Sequence, residues 1–217
     1  MIVDKSDQDR WDDFVAHSEL FGLLQSWQWG EFKEKMGWEV VRIACEDDGY
    51  LTCVAQLFIK PIAGKHASIA YIPRGPIVDW SDESSINCLL SEIHKQAKQN
   101  HAIFLKIEPP LLNSNENSEQ LLNHKFRSSK ITNQPKNTII LDIRHDSEVI
   151  LAGMRQKTRQ YIKRATREGI TVRIGTESDL PTYIALMKAT GKRQGFSTRG
   201  SLFYEKEYEY LAKHDEY

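Results

Sequence analysis

The feature that most constrains the fold is a pair of β-rich runs on either side of Asp48 and Gly49. Residues 38–47 and 50–62 are rich in β-branched and apolar side chains, and Asp-Gly between two such runs is a strong signal for a hairpin turn. A third run, ASIAYI, leads into PRGPIVDW, whose prolines and glycine predict an exposed, irregular loop. The sheet is therefore expected to begin as an antiparallel meander of three strands.

The segment that follows predicts a helix packed on this sheet. Residues 81–99 carry an apolar stripe at helical spacing, formed by Ile86, Leu89, Leu90, Ile93 and Ala97. The run AIFLKIEPP after it reads as another strand, and further helices are predicted at 6–17, 26–36 and 118–126, with a strand at 137–143. This order predicts an α/β (α+β) fold made of hairpins and crossovers, with no strict βαβ repeat.

The chain changes character near residue 146. A long helix is expected at 147–168 with Gly169 as its stop signal, then a strand at 169–175 and helices at 178–196 and 202–213. One strand with these helices covers its own apolar face poorly. We therefore expect a complete first domain at 1–145 and the incomplete beginning of a second at 146–217.

The formal net charge of −1 hides a strong asymmetry. Residues 1–50 sum to −7 and residues 151–200 to +8. In the basic helix, Arg155, Arg159 and Lys163 follow each other at i, i+4 and i+8, where like charges repel. Such a row favours a nearby anion, which would be phosphate, nucleic acid or an anionic membrane. The alternative is an ordinary solvated helix face.

Cysteine usage and the N-terminus bear on the compartment. The three cysteines are odd in number and form no CxxC pair, so we expect buried, inert thiols and neither a disulfide framework nor a metal site. The first residues are acidic and lack the apolar core of a signal peptide, and no apolar run approaches the roughly 18–20 residues of a membrane helix. These features predict a soluble, cytoplasmic protein.

Three side chains stand out as candidates for chemistry. Lys33 lies four residues after Trp29, which would place it at the rim of an aromatic wall, although an ordinary surface lysine has the same pattern. Glu108 ends a strand, where a carboxylate faces either a cleft or solvent. Arg199 lies in a Gly-Ser loop suited to an anion clamp. No GxSxG elbow, P-loop or GxGxxG motif is present.

Four segments together resemble one family. They are LLQSWQWGEFKEKMGWEVVRI, the turn AYIPRGPIVDW, FLKIEPP, and the run from NTIILDI through MRQKTRQYIKRATREGITV, followed by GKRQGFSTRGSLFYEKEY. The set is similar to the FemABX aminoacyltransferases, which build peptidoglycan interpeptide bridges. The resemblance implies GNAT-like (acyl-CoA N-acyltransferase-like) domains facing a common cleft. It also implies a donor that is aminoacyl-tRNA and an acceptor amine on the stem peptide of lipid II or a UDP-linked muropeptide. The missing acetyl-CoA pyrophosphate loop agrees with that donor.

The resemblance also implies roles for particular residues. The family's Gln-x-x-x-Trp-x-x-x-Lys pattern falls here on Gln25, Trp29 and Lys33. It makes Lys33 and Arg199 the contacts to the precursor's diphosphate, and Glu108 the catalytic carboxylate, which faces the reacting amine or the peptide stem. The other substrate-binding residues that it implies are Trp29, Arg74 and Tyr204, with Phe203 as an alternative to Tyr204.

The partners follow from the same resemblance. Aminoacyl-tRNA would be a co-substrate, with no further cofactor and no metal. Arg155, Arg159 and Lys163 would contact tRNA or the anionic inner face of the membrane, on a monomer. Because the family's second domain completes the cleft, we expect this fragment to be inactive alone. Two alternatives remain: a GNAT-like N-acyltransferase that uses acyl-CoA on a small amine, and a noncatalytic module that binds tRNA or membrane.

Overall fold

The computed structural model describes residues 1–18, 22–62 and 66–212. Contacts divide the chain into two compact units. The first unit holds Met1–Gln134 together with the residues from Arg199 onward, and the second holds Pro135–Thr198. These units describe contacts within this chain, so the predicted division into family domains at 1–145 and 146–217 stays a prediction.

The first unit is built on a four-stranded mixed sheet. Its strands are β1 (Glu39–Asp47), β2 (Tyr50–Ile62), β3 (Ala67–Pro73) and β4 (Ala102–Glu108), in the spatial order β1-β2-β3-β4. The first three pair antiparallel, and β4 lies parallel to β3. Asp48 and Gly49 both have positive φ, at 47° and 83°, as a tight hairpin turn requires. The predicted three-stranded meander is confirmed, and the structure adds that the crossover through α3 places β4 parallel to β3.

Helices make up most of the remaining secondary structure. The α-helices of the described residues are α1 (Gln8–His17), α2 (Trp27–Lys35), α3 (Glu83–Gln99), α4 (Asn115–Asn123), α5 (Ser147–Gly153), α6 (Gln156–Arg167), α7 (Leu180–Gln194) and α8 (Ser201–Glu207). The last predicted helix is shorter than expected, because α8 widens into a π-helical turn at Tyr208–Ala212, and Lys213 lies outside the described residues. Within the described residues, no helix combines the length and the apolar character needed to cross a bilayer.

The two faces of the sheet are covered by different helices. The predicted stripe of α3 is buried against one face, where it packs on β-strand residues such as Leu57 and Ile72. On the other face, Trp11 and Val15 of α1 and Trp27 of α2 pack with Ala44 and Val54. Trp29 is only half-buried, which confirms that Trp27 and Trp29 point to different sides of their helix.

A buried glutamine fixes the start of α2 on the sheet. The side chain of Gln25 accepts a hydrogen bond from the Gln56 backbone N–H at 2.8 Å and donates to the carbonyl of Pro73 at 2.8 Å. Trp11 Nε1 donates to the Gln25 carbonyl, also at 2.8 Å. Because Gln25 is fully buried, these bonds hold α2 in one register, and Trp29 and Lys33 follow from it.

The cysteine prediction is wrong for two of the three residues. Cys45 of β1 and Cys88 of α3 form a disulfide with a Cα–Cα distance of 6.5 Å. Cys45 lies on the sheet face that α3 covers and Cys88 lies on α3 itself, so tertiary packing brings together two residues 43 positions apart. Cys53 is a buried free thiol, as expected.

The second unit departs most from the sequence prediction. The expected helix at 147–168 is broken, because Met154 and Arg155 are extended between α5 and α6. The guanidinium of Arg159 folds back and donates to the carbonyls of Ala152 and Met154, which closes the end of α5. Gly169 has a φ of +74° directly after the helix, and its predicted stop role is confirmed.

The strands predicted at 137–143 and 169–175 are not formed. Both segments are exposed coil, and Ile139, Val172 and Ile174 are more than 90% exposed. A strand needs a neighbouring strand to satisfy its backbone hydrogen bonds, and neither segment has one among the described residues. The pattern of apolar residues alone was therefore insufficient to predict whether these segments form strands.

Candidate functional site

The register of the sheet gathers polar side chains on the face that α1 and α2 partly cover. Phe58 of β2 pairs with Tyr71 of β3, and Tyr71 pairs with Lys106 of β4. Because side chains alternate between faces and partners share a face, these three residues point to the same side. Glu108, two residues after Lys106, joins them.

Lys33 has an unusual environment for a lysine. Its ammonium lies 4.8 Å from the centre of the Trp38 ring, and the side chain is half-buried. Burial, and after it the positive charges of Arg199 and Lys60, lower the pKa of Lys33 to about 8. The predicted pair of Lys33 and Arg199, far apart in the sequence, is thus brought within electrostatic reach.

A stack of two aromatic rings connects Arg199 to α2. The Arg199 guanidinium lies 5.3 Å from the centre of the Phe203 ring, and that ring meets Phe32 edge-on at 5.1 Å. Phe32 is fully buried and directly precedes Lys33. The stack therefore holds α8 against α2 and keeps the two cations close.

Lys60 adds a third cation to this cluster. Its ammonium lies 5.6 Å from the Trp38 ring centre and donates to the carbonyl of Gly37 at 2.8 Å. We call Lys33, Lys60 and Arg199 the cation cluster. The two charges that act on Lys33 are both positive, while the carboxylate of Glu207 lies within electrostatic reach of Arg199. Such an arrangement suits an anion that carries more than one charge.

Glu108 is held by several donors at the end of β4. Its carboxylate accepts from the Tyr71 hydroxyl, from the Asn133 backbone N–H at 2.8 Å, and from the Lys106 ammonium at 3.2 Å. Burial raises the pKa of Glu108, but these hydrogen bonds together outweigh it and leave the pKa below its usual value. The side chain is 14% exposed, so Glu108 is a mostly covered anion.

The other predicted substrate-binding residues, Trp29, Arg74 and Tyr204, each have a different environment. The Trp29 ring packs against Phe32 at 5.2 Å. Arg74 has a left-handed backbone with φ of 47° in the turn after β3. Tyr204 is buried, with its ring edge-on to Phe203, which is the more exposed of the two. The substrate roles of Trp29, Arg74 and Tyr204 stay predictions.

The predicted basic row is altered in the second unit. Arg155 is the extended residue before α6, so it does not continue the helical face of Arg159 and Lys163. Arg159 is engaged by the carbonyls of α5. Lys163 remains exposed, as do Arg155 and Lys157. The prediction that Arg155, Arg159 and Lys163 form one row on a single helix is therefore wrong. The helix α6 is still strongly basic.

Reasoning from the sequence missed four residues in this region: Trp38, Lys60, Tyr71 and Lys106. Their roles depend on cross-strand pairing and on the return of the chain at α8, and neither is visible in local spacing. A partial signal existed for Tyr71 and Lys106, since each falls on the same alternating face as an end-of-strand acid once the strands are placed in register.

Comparison with known proteins identifies the family. Residues 7–216 match the model of the FemAB family, and the chain belongs to that family. The lipid II:glycine glycyltransferase of Staphylococcus aureus strain MRSA252 is 33% identical over 210 residues, which are 92% of this chain and 50% of the relative. The protein of the same name from strain USA300 has the same identity and coverage.

A solved structure agrees with this assignment. The crystal structure of FemX matches with a TM-score of 0.85 and 31% identity, over 95% of this chain and 54% of that one. The predicted FemABX resemblance and the predicted α/β fold class are confirmed, and the GNAT-like character of the fold stays what the resemblance implies. The chain spans about half the length of the curated relatives it matches.

Proposed function

We propose that this chain supplies the acceptor-binding face of an aminoacyltransferase that builds peptidoglycan interpeptide bridges. The observation that carries the proposal is the cation cluster, in which Lys33 of α2 and Lys60 of β2 lie against Trp38 and Arg199, before α8, lies within electrostatic reach of Lys33. Relatives named lipid II:glycine glycyltransferase support the choice of a peptidoglycan precursor as acceptor.

The cation cluster would bind the diphosphate of the precursor. Lipid II and UDP-linked muropeptides both carry a diphosphate, and its charges would offset both the burial and the repulsion that lower the Lys33 pKa. The new amide bond would form elsewhere on the precursor, at the stem-peptide amine. Binding energy from this remote anion would therefore position the stem-peptide amine.

Glu108 would act at that amine. An amine must be neutral to attack, yet a lysine amine is mostly protonated near pH 7. Its nitrogen would form an amide bond with the carbonyl of the aminoacyl ester, the ester C–O bond would break, and the tRNA ribose hydroxyl would leave. Glu108 would orient the ammonium and help its proton to depart.

The donor in this proposal is aminoacyl-tRNA, with no bound cofactor or metal. Exposed cations of α6, among them Arg155 and Lys163, would contact tRNA or anionic lipid. A monomer working at the inner face of the membrane would meet both substrates.

Calorimetric titration with a UDP-linked muropeptide tests the acceptor. Lys33→Ala and Arg199→Ala are each expected to weaken binding about tenfold or more, the loss of one charge-assisted contact. Lys98→Ala and Arg127→Ala, exposed cations elsewhere in the first unit, are the matched controls and should leave the affinity unchanged.

The same titration separates the alternatives. Tight binding of acetyl-CoA with no binding of the muropeptide would point to an ordinary N-acyltransferase. Binding of tRNA alone, with strong salt dependence, would point to a noncatalytic module. Equal muropeptide affinity in wild type, Lys33→Ala and Arg199→Ala would rule out the cation cluster as the diphosphate site.

A further inference from the structure

A chain of hydrogen bonds connects Glu108 to a residue for which the proposed reaction has no role. The Tyr71 hydroxyl donates to Glu108 Oε2. The side-chain amide of Gln134 donates to the same hydroxyl oxygen at 3.2 Å. Tyr71 is half-buried on β3, while Glu108 ends the neighbouring strand. The Tyr71 hydroxyl therefore accepts a hydrogen bond from Gln134 and donates one to Glu108.

The donors are divided unequally between the two carboxylate oxygens. Oε1 accepts from the Asn133 backbone N–H at 2.8 Å and lies 3.2 Å from the Lys106 ammonium. Oε2 accepts from Tyr71. A carboxylate oxygen has about two acceptor positions, so Oε1 is saturated by these contacts and Oε2 retains capacity for one more donor.

The charged and titratable groups that face Glu108 come from two strands. They are Tyr71 on β3 and Lys106 on β4, while residues 133 and 134 contribute only amides. Lys106 is itself tied to the carbonyl of Ile131 at 2.8 Å. Tyr71, Lys106 and the Asn133 backbone N–H each present a donor to the carboxylate, while Gln134 reaches it only through Tyr71. The surroundings thus favour the anion and oppose a proton on either oxygen.

We propose that Tyr71 is the positioning residue of Glu108: its hydroxyl orients Oε2, so that Glu108 receives a substrate ammonium as a fixed anion. This inference rests on the proposed function, in which Glu108 meets the stem-peptide amine. It changes the role of Glu108 within that function. The carboxylate binds and aligns the protonated amine. One ammonium proton passes to solvent water before the attack, since a carboxylate supplied with so many donors is a weak base, and a second goes to the ribose oxygen as it leaves.

The behaviour of Tyr71 is consistent with this role. Burial and the hydrogen bond to Glu108 raise the pKa of Tyr71 well above its usual value. The phenol therefore stays protonated over the working pH range and always donates. A permanent donor keeps the carboxylate in one orientation.

The first arm of the test needs no substrate. The chain is labelled with ¹³C at glutamate side chains, and the Glu108 carboxyl signal, assigned by its loss in Glu108→Gln, is followed by NMR as the pH is lowered. We expect Tyr71→Phe, which keeps the ring and removes the hydroxyl, to raise the pKa of Glu108. Tyr50→Phe, at an exposed tyrosine of the same unit, should leave the titration unchanged.

The second arm measures recognition of the amine. Affinity is compared for a UDP-linked muropeptide with a free stem-peptide amine and for the same compound acetylated at that amine. Wild type and Tyr50→Phe should prefer the free amine by about tenfold, the strength of one charged hydrogen bond, and Tyr71→Phe should lose most of this preference.

The two arms fail separately. If Glu108 titrates identically in wild type and Tyr71→Phe, Tyr71 does not position it and the inference is wrong. A shifted titration with an undiminished preference for the free amine also overturns it. If wild type binds neither form of the muropeptide, the proposed function fails, and with it the amine role of Glu108, whatever the titration shows.

Discussion

Lys33 shows how one side chain acquires its properties from residues remote in sequence. An isolated lysine has a pKa near 10.5, whereas burial beside Trp38 and the charges of Arg199 and Lys60 lower it to about 8. The folded state therefore disfavours the charged form below pH 8, and the penalty is relieved as pH rises from about 8 toward 10.5. A bound anion would stabilise the charged form of Lys33 and reduce the repulsion within the cation cluster.

The first prediction concerns the pH dependence of anion binding. If the protonated form of Lys33 binds the diphosphate, affinity for a UDP-linked muropeptide should fall about tenfold between pH 7 and pH 9, as Lys33 loses its proton. Lys33→Arg keeps its charge over this range and should remove most of the dependence. A wild-type affinity that is flat from pH 7 to 9 would contradict the prediction, which titration calorimetry at several pH values can check.

At the scale of elements, α2 depends on a glycine for its close approach to the sheet. A Cβ at Gly30 would lie closer than 3.0 Å to Gln56 Oε1 and Arg42 Nη2. Both partners are buried and engaged, since Gln56 Nε2 donates to the Ser26 carbonyl at 2.9 Å and Arg42 Nη2 to the Trp27 carbonyl at 3.1 Å. These carbonyls belong to the first turn of α2, so the same contacts seat the helix that carries Lys33.

The second prediction follows from that packing. Alanine is the better helix former by about 1 kcal/mol, yet Gly30→Ala should destabilise the protein by about 1–2 kcal/mol because the buried neighbours have no room to move. Gly153→Ala, in α5 with open space around its Cβ position, should be neutral or slightly stabilising. Urea unfolding followed by circular dichroism measures both. A stabilised Gly30→Ala would show that α2 is loosely seated.

The third prediction concerns the link between β1 and α3. The Cys45–Cys88 disulfide closes a loop with a sequence separation of 43, and loss of the bridge is expected to lower the free energy of unfolding by about 3–4 kcal/mol. Urea unfolding with and without reductant tests this. Cys45→Ala combined with Cys88→Ala should abolish the response to reductant. Thiol alkylation after denaturation gives a check: one reactive cysteine, Cys53, without reductant and three with it.

At the scale of the whole molecule, charge is strongly segregated along the chain. Residues 1–50 carry −7 and residues 151–200 carry +8. The basic excess lies mainly in the second unit, where α6 presents exposed Lys157 and Lys163, while the cation cluster is in the first unit. Two separate anion sites would match a reaction with two phosphate-rich substrates.

The fourth prediction tests this separation. Lys157→Ala combined with Lys163→Ala should reduce the salt dependence of tRNA binding by about one to two units in the slope of log affinity against log salt, and should leave muropeptide binding unchanged. Lys95→Ala combined with Lys98→Ala on α3 is the control for total charge. Fluorescence titrations over a range of salt concentrations provide the slopes. An unchanged slope in the α6 variant would place tRNA binding elsewhere.

Local patterns were sufficient for the elements whose stability comes from their own residues. The hairpin at Asp48 and Gly49, the stripe of α3 and the stop at Gly169 were predicted correctly, because turn geometry and helical periodicity are encoded within a few positions. The pairing of Lys33 with Arg199 came from the family resemblance. It had no local signal.

The failures share one cause, which is that they depend on contacts between distant segments. The segments at 137–143 and 169–175 have the composition of strands but lack a partner strand among the described residues. The Cys45–Cys88 bridge and the Tyr71–Glu108 pair arise from helix-on-sheet packing and strand register.

The sequence by itself therefore determined the order of most elements, the family and the charge segregation. Only the tertiary structure decided which cysteines meet, how α2 is seated and which donors surround Glu108. The physical reason is that periodicity and turn chemistry act within a few residues, whereas a pKa, a disulfide or a shared hydrogen bond requires side chains that only folding brings within a few ångströms of each other.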